Sequence, residues 1–152
     1  MKKILISITL AFIIAQFFSP EKNNADISTF DNFITETKPS EEVLAILENS
    51  CLDCHSNHTQ YPWYNSITPI NYWMAKHVKE GKKHFNISKW DTYSIEMRDH
   101  KIDEVAEMVE ENTMPLPSFT WTHKDAILTT EQKELLDLWT KEVRAKYQAL
   151  NN

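Results

Sequence analysis

The sequence predicts an all-α fold, and three observations carry that expectation. Gly81 is the only glycine in 152 residues, too few for the turns and bulges of a β-rich chain. Apolar positions recur at helical spacing in several separate stretches. The prolines fall between those stretches, outside the helix interiors that they would break. At this length one domain is expected.

Residues 1–20 read as an export segment. Lys2 and Lys3 give a positive start, and Ile4 to Phe18 is a largely apolar run. A helix over that run is about 22 Å long, short of a hydrocarbon core of roughly 30 Å, which favours a signal peptide. Ala15-Gln16-Phe17 ends on a large ring where cleavage wants a small residue, and no lipobox cysteine follows. That chemistry favours an uncleaved anchor with the lysines in the cytoplasm. Either way the remainder is expected beyond the bacterial cytoplasmic membrane, facing the periplasm, anchored or soluble.

Residues 21–39 are polar, with scattered Phe30, Phe33 and Ile34, and read as a linker. The domain proper is expected over 40–148. Ser40 caps a short helix that carries Glu41 and Glu42 in its first turn and Val43, Leu44, Ile46 and Leu47 on its apolar side. It runs straight into Cys51. The stretch after His55 is a loop through Pro62 to Ser66. A helix then starts at Thr68 or Pro69, with Ile70, Trp73, Met74, His77 and Val78 on one face and Gly81 expected just past its end.

Residues 84–90 read as irregular. A helix near Ser94 to Asn112 buries Ile102, Val105, Ala106 and Val109. Pro115 and Pro117 forbid helix and bias Met114 towards an extended backbone. Residues 118–128 read as loop. Thr129 with Gln132 forms a capping-box spacing for the last helix, whose apolar side is Leu135, Leu136, Leu138, Trp139, Val143 and Tyr147. That helix is expected to cross the one before Cys51.

The chemistry concentrates in Cys51-Leu52-Asp53-Cys54-His55, which holds both cysteines of the chain. Cys-x-x-Cys-His is the attachment signal for a c-type haem. Two thiols on one turn reach two vinyl groups of the porphyrin, and a neutral imidazole behind them is a good axial donor to iron. Cys51 and Cys54 are therefore the expected haem-binding residues, and His55 the proximal ligand. Three other readings stand beside this one. His58 extends the set to four zinc-ligand types, the cysteines could form a redox pair, and a simple disulfide suits an oxidising compartment.

For the distal side, Met114 on its stiff proline segment is the expected ligand, with His77 and His123 as alternatives. His58 lies too few residues from His55 to pass around the ring. Met97 and Met108 read as core filler. Trp63, Tyr64, Trp73, His77 and Trp90 are the candidate pocket walls. Net charge is −6. Setting aside Lys2 and Lys3 leaves 14 basic against 22 acidic side chains, −8, which speaks against a nucleic-acid partner.

The run Cys51-x-x-Cys54-His55-Ser56-Asn57, then Thr59 and Tyr61-Pro62-Trp63-Tyr64, resembles the bacterial haem-binding domain family of exported, cytochrome c-like proteins. The resemblance continues through Trp73, His77, Gly81, Asn86-x-Ser88-x-Trp90, Met114-Pro115, His123 and Trp139, over about residues 40–145. It implies a cytochrome c-like helical domain around one covalently attached haem c, commonly behind an N-terminal hydrophobic helix. It implies no defined reaction. The chemistry then suggests a carrier of single electrons that is not an enzyme, with haem and periplasmic or membrane redox proteins as partners. Two alternatives are a haem sensor or small peroxidase with an open or labile sixth position, and a zinc-binding interaction module.

Overall fold

A computed structural model describes residues 1–25 and 30–150. Among them the chain is helical, with one isolated antiparallel bridge from Asn24 to His58 and no strand. Eight α-helices follow in order: α1 Lys2–Ala15, α2 Asp31–Thr37, α3 Glu41–Ser50, α4 Leu52–His55, α5 Ile70–His84, α6 Ile95–Glu110, α7 Pro117–Thr120 and α8 Thr130–Leu150. Short 3-10 turns at Trp63–Ser66, Ile87–Thr92 and Lys124–Ala126 occupy stretches expected to be irregular.

Local chemistry sets the helix starts. Ser40 Oγ accepts from Val43 N at 3.2 Å and so caps α3. At α8 the box is reciprocal: Gln132 N donates to Thr129 Oγ1 at 3.2 Å, and Thr129 N donates to Gln132 Oε1 at 2.9 Å. α6 and α8 share the most extensive helix–helix contact, and α3 lies against α8, as expected. Val43, Ile46 and Leu47 of α3, Ile102 and Val109 of α6, and Leu136, Trp139, Val143 and Tyr147 of α8 supply most of the core. Leu138, expected inside, is exposed on the outer side of α8.

Of the expected linker 21–39, residues 26–29 lie outside the described residues, and the described parts on either side pack on the domain. Ala25 N donates to Asn57 O at 2.8 Å, and Thr59 N donates to Asn23 O at 2.9 Å, so residues 23–25 strap the loop behind His55. Phe30 and Phe33 are buried in the core. Phe33 meets Trp90 edge-on at 5.0 Å and Trp139 at 6.1 Å. Two aromatic rings in a polar stretch suffice to fold it onto the domain. Arg98 then ties α6 to α2 through Glu36 (2.7 and 2.9 Å), and the Tyr147 hydroxyl donates to the same carboxylate at 2.7 Å.

α1 is apolar and exposed on every side. No helix among the described residues is long and apolar enough to cross a membrane. The chain just after α1 is fastened to the start of α5. Thr68 N donates to Gln16 Oε1 at 2.9 Å, Gln16 Nε2 donates to Thr68 O at 3.1 Å, and Thr68 Oγ1 donates to Phe18 O at 3.1 Å.

Candidate functional site

Cys51 is the residue where α3 ends and α4 begins, and Cys54 and His55 lie on that single turn. The helix stops because Ser56 turns to extended backbone. Both cysteines are unpaired thiols, half-buried. Burial pushes Cys51 up from 9.0 to about 12 and Cys54 from 9.0 to about 11. In the folded chain both are neutral thiols at neutral pH. No cluster of three or more His, Cys, Asp or Glu side chains able to hold a metal ion occurs among the described residues.

His55 Nδ1 lies 3.0 Å from Phe85 O. A carbonyl only accepts, so Nδ1 carries the proton and the lone pair resides on Nε2. Burial holds the imidazole below its usual range, against the opposing pull of the Phe85 and Gly81 carbonyls. The side chain is thus neutral, oriented, and basic at the outer nitrogen, which is the form an axial ligand takes.

A bracket of amides and hydroxyls positions that carbonyl. Asn57 N donates to Ser88 Oγ at 3.0 Å, Asn86 Nδ2 donates to Asn57 Oδ1 at 2.9 Å, and Asn86 Oδ1 accepts from Ser88 N at 3.1 Å. Asn86 is buried. Phe85 is therefore held against His55, their rings 6.1 Å apart. Ser56 is fully buried, its hydroxyl donating to His58 O at 2.7 Å. Asn23 Nδ2 reaches both Ser56 O and Thr59 Oγ1 at 2.9 Å.

Gly81 supplies the closest approach. It sits inside α5, which continues to His84, and so is not the residue beyond the helix end that its position suggested. A Cβ there would stand 2.6 Å from Cys54 O and 3.1 Å from Cys54 Cβ. The lone glycine lets α5 pack backbone to backbone on the cysteine turn. An isolated glycine within a helical pattern was the available signal. The strap at Asn23 and the Phe85 carbonyl had none, since backbone acceptors leave no mark in sequence.

The other expected residues divide into groups. Trp63, Trp73 and Trp121 are strongly exposed, and Ile70 and Trp73 of α5 are uncovered although their spacing suggested a buried face. The His77 ring lies tilted against Trp73, their centres 4.4 Å apart, and its Nδ1 is bonded to Trp73 O at 2.8 Å. The Tyr64 hydroxyl donates to Thr122 Oγ1 at 2.8 Å, and Ser50 Oγ donates to Ala126 O at 3.2 Å, which brings residues 119–126 alongside the cysteine turn. His123 belongs to that segment. Its ring stacks on Phe119 at 4.0 Å, and it exerts a charge effect on Asp53. Trp90 is deep in the core, one ring behind the site: it touches Phe85 at 6.2 Å. Met114 is half-buried on the irregular segment after α6, its N–H donating to Met108 O at 3.1 Å.

Two free thiols and an oriented imidazole on one turn, packed against an α5 whose Ile70 and Trp73 are exposed, form a donor set suited to a haem. A family model described as a haem-binding domain matches residues 10–142. No curated protein and no solved structure matches the chain.

Proposed function

The chain belongs to the haem-binding domain family, and on that premise we propose that it is an exported, mono-haem c-type protein that carries single electrons. Haem held there supplies an iron that gains and loses one electron at a time. Cys51 and Cys54 would hold the haem through thioether bonds to its vinyl carbons, so that the cofactor would not exchange. His55 offers its Nε2 lone pair, and the Phe85 carbonyl keeps the opposite nitrogen protonated and the ring fixed. Met114 offers a thioether from the proline segment. A soft donor favours the reduced state, and so raises the potential relative to two imidazoles.

Trp63, Tyr64, Trp73 and His77 line the edges and exclude water, while Trp90 stiffens the layer behind Phe85. The reading assigns no catalytic residue. The apolar α1 is the export segment, held at the bilayer as an anchor when uncleaved, and the domain lies on the periplasmic side, where redox proteins are its partners.

The observation that carries this function is the Nδ1–H tautomer of His55 on a turn with two unpaired thiols. Absorption spectroscopy of protein produced with c-type maturation tests it. The expected spectrum is six-coordinate and low-spin, with the weak ferric iron–thioether charge-transfer band. Met114→Ala should abolish that band and lower the potential, and an unchanged spectrum removes Met114 as ligand. Rapid carbon monoxide binding by the unmodified ferrous protein would replace the carrier with the open-site sensor or peroxidase.

A further inference from the structure

The chain is acidic overall, yet its lysines gather on α5 and its surroundings. Tyr72, Lys76, Lys79 and Lys83 are all exposed and follow one another at i, i+4, i+7 and i+11, a single stripe along the helix. Gly81, two residues from both Lys79 and Lys83, is about 200° around the axis. The stripe therefore faces away from the cysteine turn that Gly81 touches.

Beside the stripe an open cavity of about 640 Å³ runs between α5 and the strap, lined by Lys22, Lys79, Lys82, Asn23 and Tyr61 among others. The Lys22 ammonium lies 5.6 Å from the Tyr61 ring centre, and Lys82 Nζ donates to Asn23 Oδ1. Against these five lysines stand Glu21 at the cavity and Glu80, 4.0 Å from Lys83. Burial and then the charge of Lys89 push the Lys82 ammonium below its ordinary value, a cost that a bound anion would offset.

What meets this surface follows from what is attached to its end. α5 begins where Gln16 and Phe18 are bonded to Thr68, and Asn71 Nδ2 reaches Ser19 Oγ at 3.4 Å. Phe17, Phe18 and Tyr72 are exposed at that junction, beside an α1 that is apolar on all sides. Apolar helix, aromatic belt and lysines in sequence make the profile of a bilayer interface. We propose that the lysine stripe of α5 and its adjoining cavity dock on the anionic headgroups of the bilayer that receives α1. The inference rests on reading α1 as a membrane segment. It sets α5 between lipid and the cysteine turn, which turns the haem site away from the membrane.

Vesicle co-sedimentation of the full-length holoprotein tests it, with phosphatidylcholine alone and with phosphatidylglycerol added. The intact protein should bind both and prefer the anionic vesicles, the preference fading at high salt. K76Q/K79Q/K83Q should weaken binding to the anionic vesicles roughly a hundredfold, while K2Q/K3Q keeps the preference. Equal binding of intact protein and triple variant overturns the proposal and leaves the stripe to an acidic protein surface. Equal binding of the intact protein to both vesicle types overturns it too, with the anchor intact. Stripe-dependent binding to anionic vesicles alone supports the docking surface and sinks the anchor.

Discussion

His55 carries as much of the account as the cysteines, because its Nδ1 is tied to a carbonyl and its Nε2 is left as the donor. The motif was legible at once, since Cys-x-x-Cys-His has few other uses. The group that orients the histidine, the Phe85 carbonyl, leaves no mark in sequence, because it acts through a main-chain oxygen. The thiols give a pH prediction for haem-free protein. Their folded pKa values, about 12 and about 11, lie above the ordinary 9.0. The folded chain therefore prefers them protonated. The stabilisation this brings is complete below about pH 9 and is lost as pH rises through about 11 to 12. At pH 8 the thiolate fraction of folded Cys54 is roughly a hundredfold smaller, and that of Cys51 roughly a thousandfold smaller, than in the unfolded chain, so iodoacetamide should alkylate them far more slowly than in urea. Equal rates would contradict the burial.

At the scale of elements, the closest approach is α5 on the cysteine turn. Gly81→Ala sets two effects against each other. Helix propensity favours alanine by about 1 kcal/mol, but the new Cβ would meet a backbone oxygen at 2.6 Å, and overpacking costs typically ~1–3 kcal/mol. The clash falls on main chain that cannot rotate away, so it wins. Thermal denaturation should show a lower midpoint and maturation should yield less holoprotein; a raised midpoint would refute the close packing. The helices with caps in the sequence, α3 and α8, were read nearly to the residue, because a Ser or Thr oxygen and a first-turn amide fix a boundary chemically. α5 was read as ending too soon and as buried on a face that lies open. Periodicity reports which residues are apolar, and it does not distinguish cover by protein from cover by a cofactor.

Across the whole molecule, the all-helical class followed from composition, while the role of residues 21–39 did not. Polarity pointed to a linker, yet Phe33 lies at 2% exposure between Trp90 and Trp139. Phe33→Ala should cost about 3–5 kcal/mol in urea denaturation. A loss within about 0.5 kcal/mol, as at an ordinary surface position, would return the segment to a linker. The strap, the α5 packing and the Asn86 bracket all converge on one turn, which carries two thiols and an oriented imidazole. The most direct test is the intact mass, under denaturing conditions, of protein exported from a host with c-type maturation. The account predicts a chain heavier by one haem, with neither thiol open to alkylation and the added mass lost in C51A/C54A. A chain at its unmodified mass with both thiols alkylatable would contradict it.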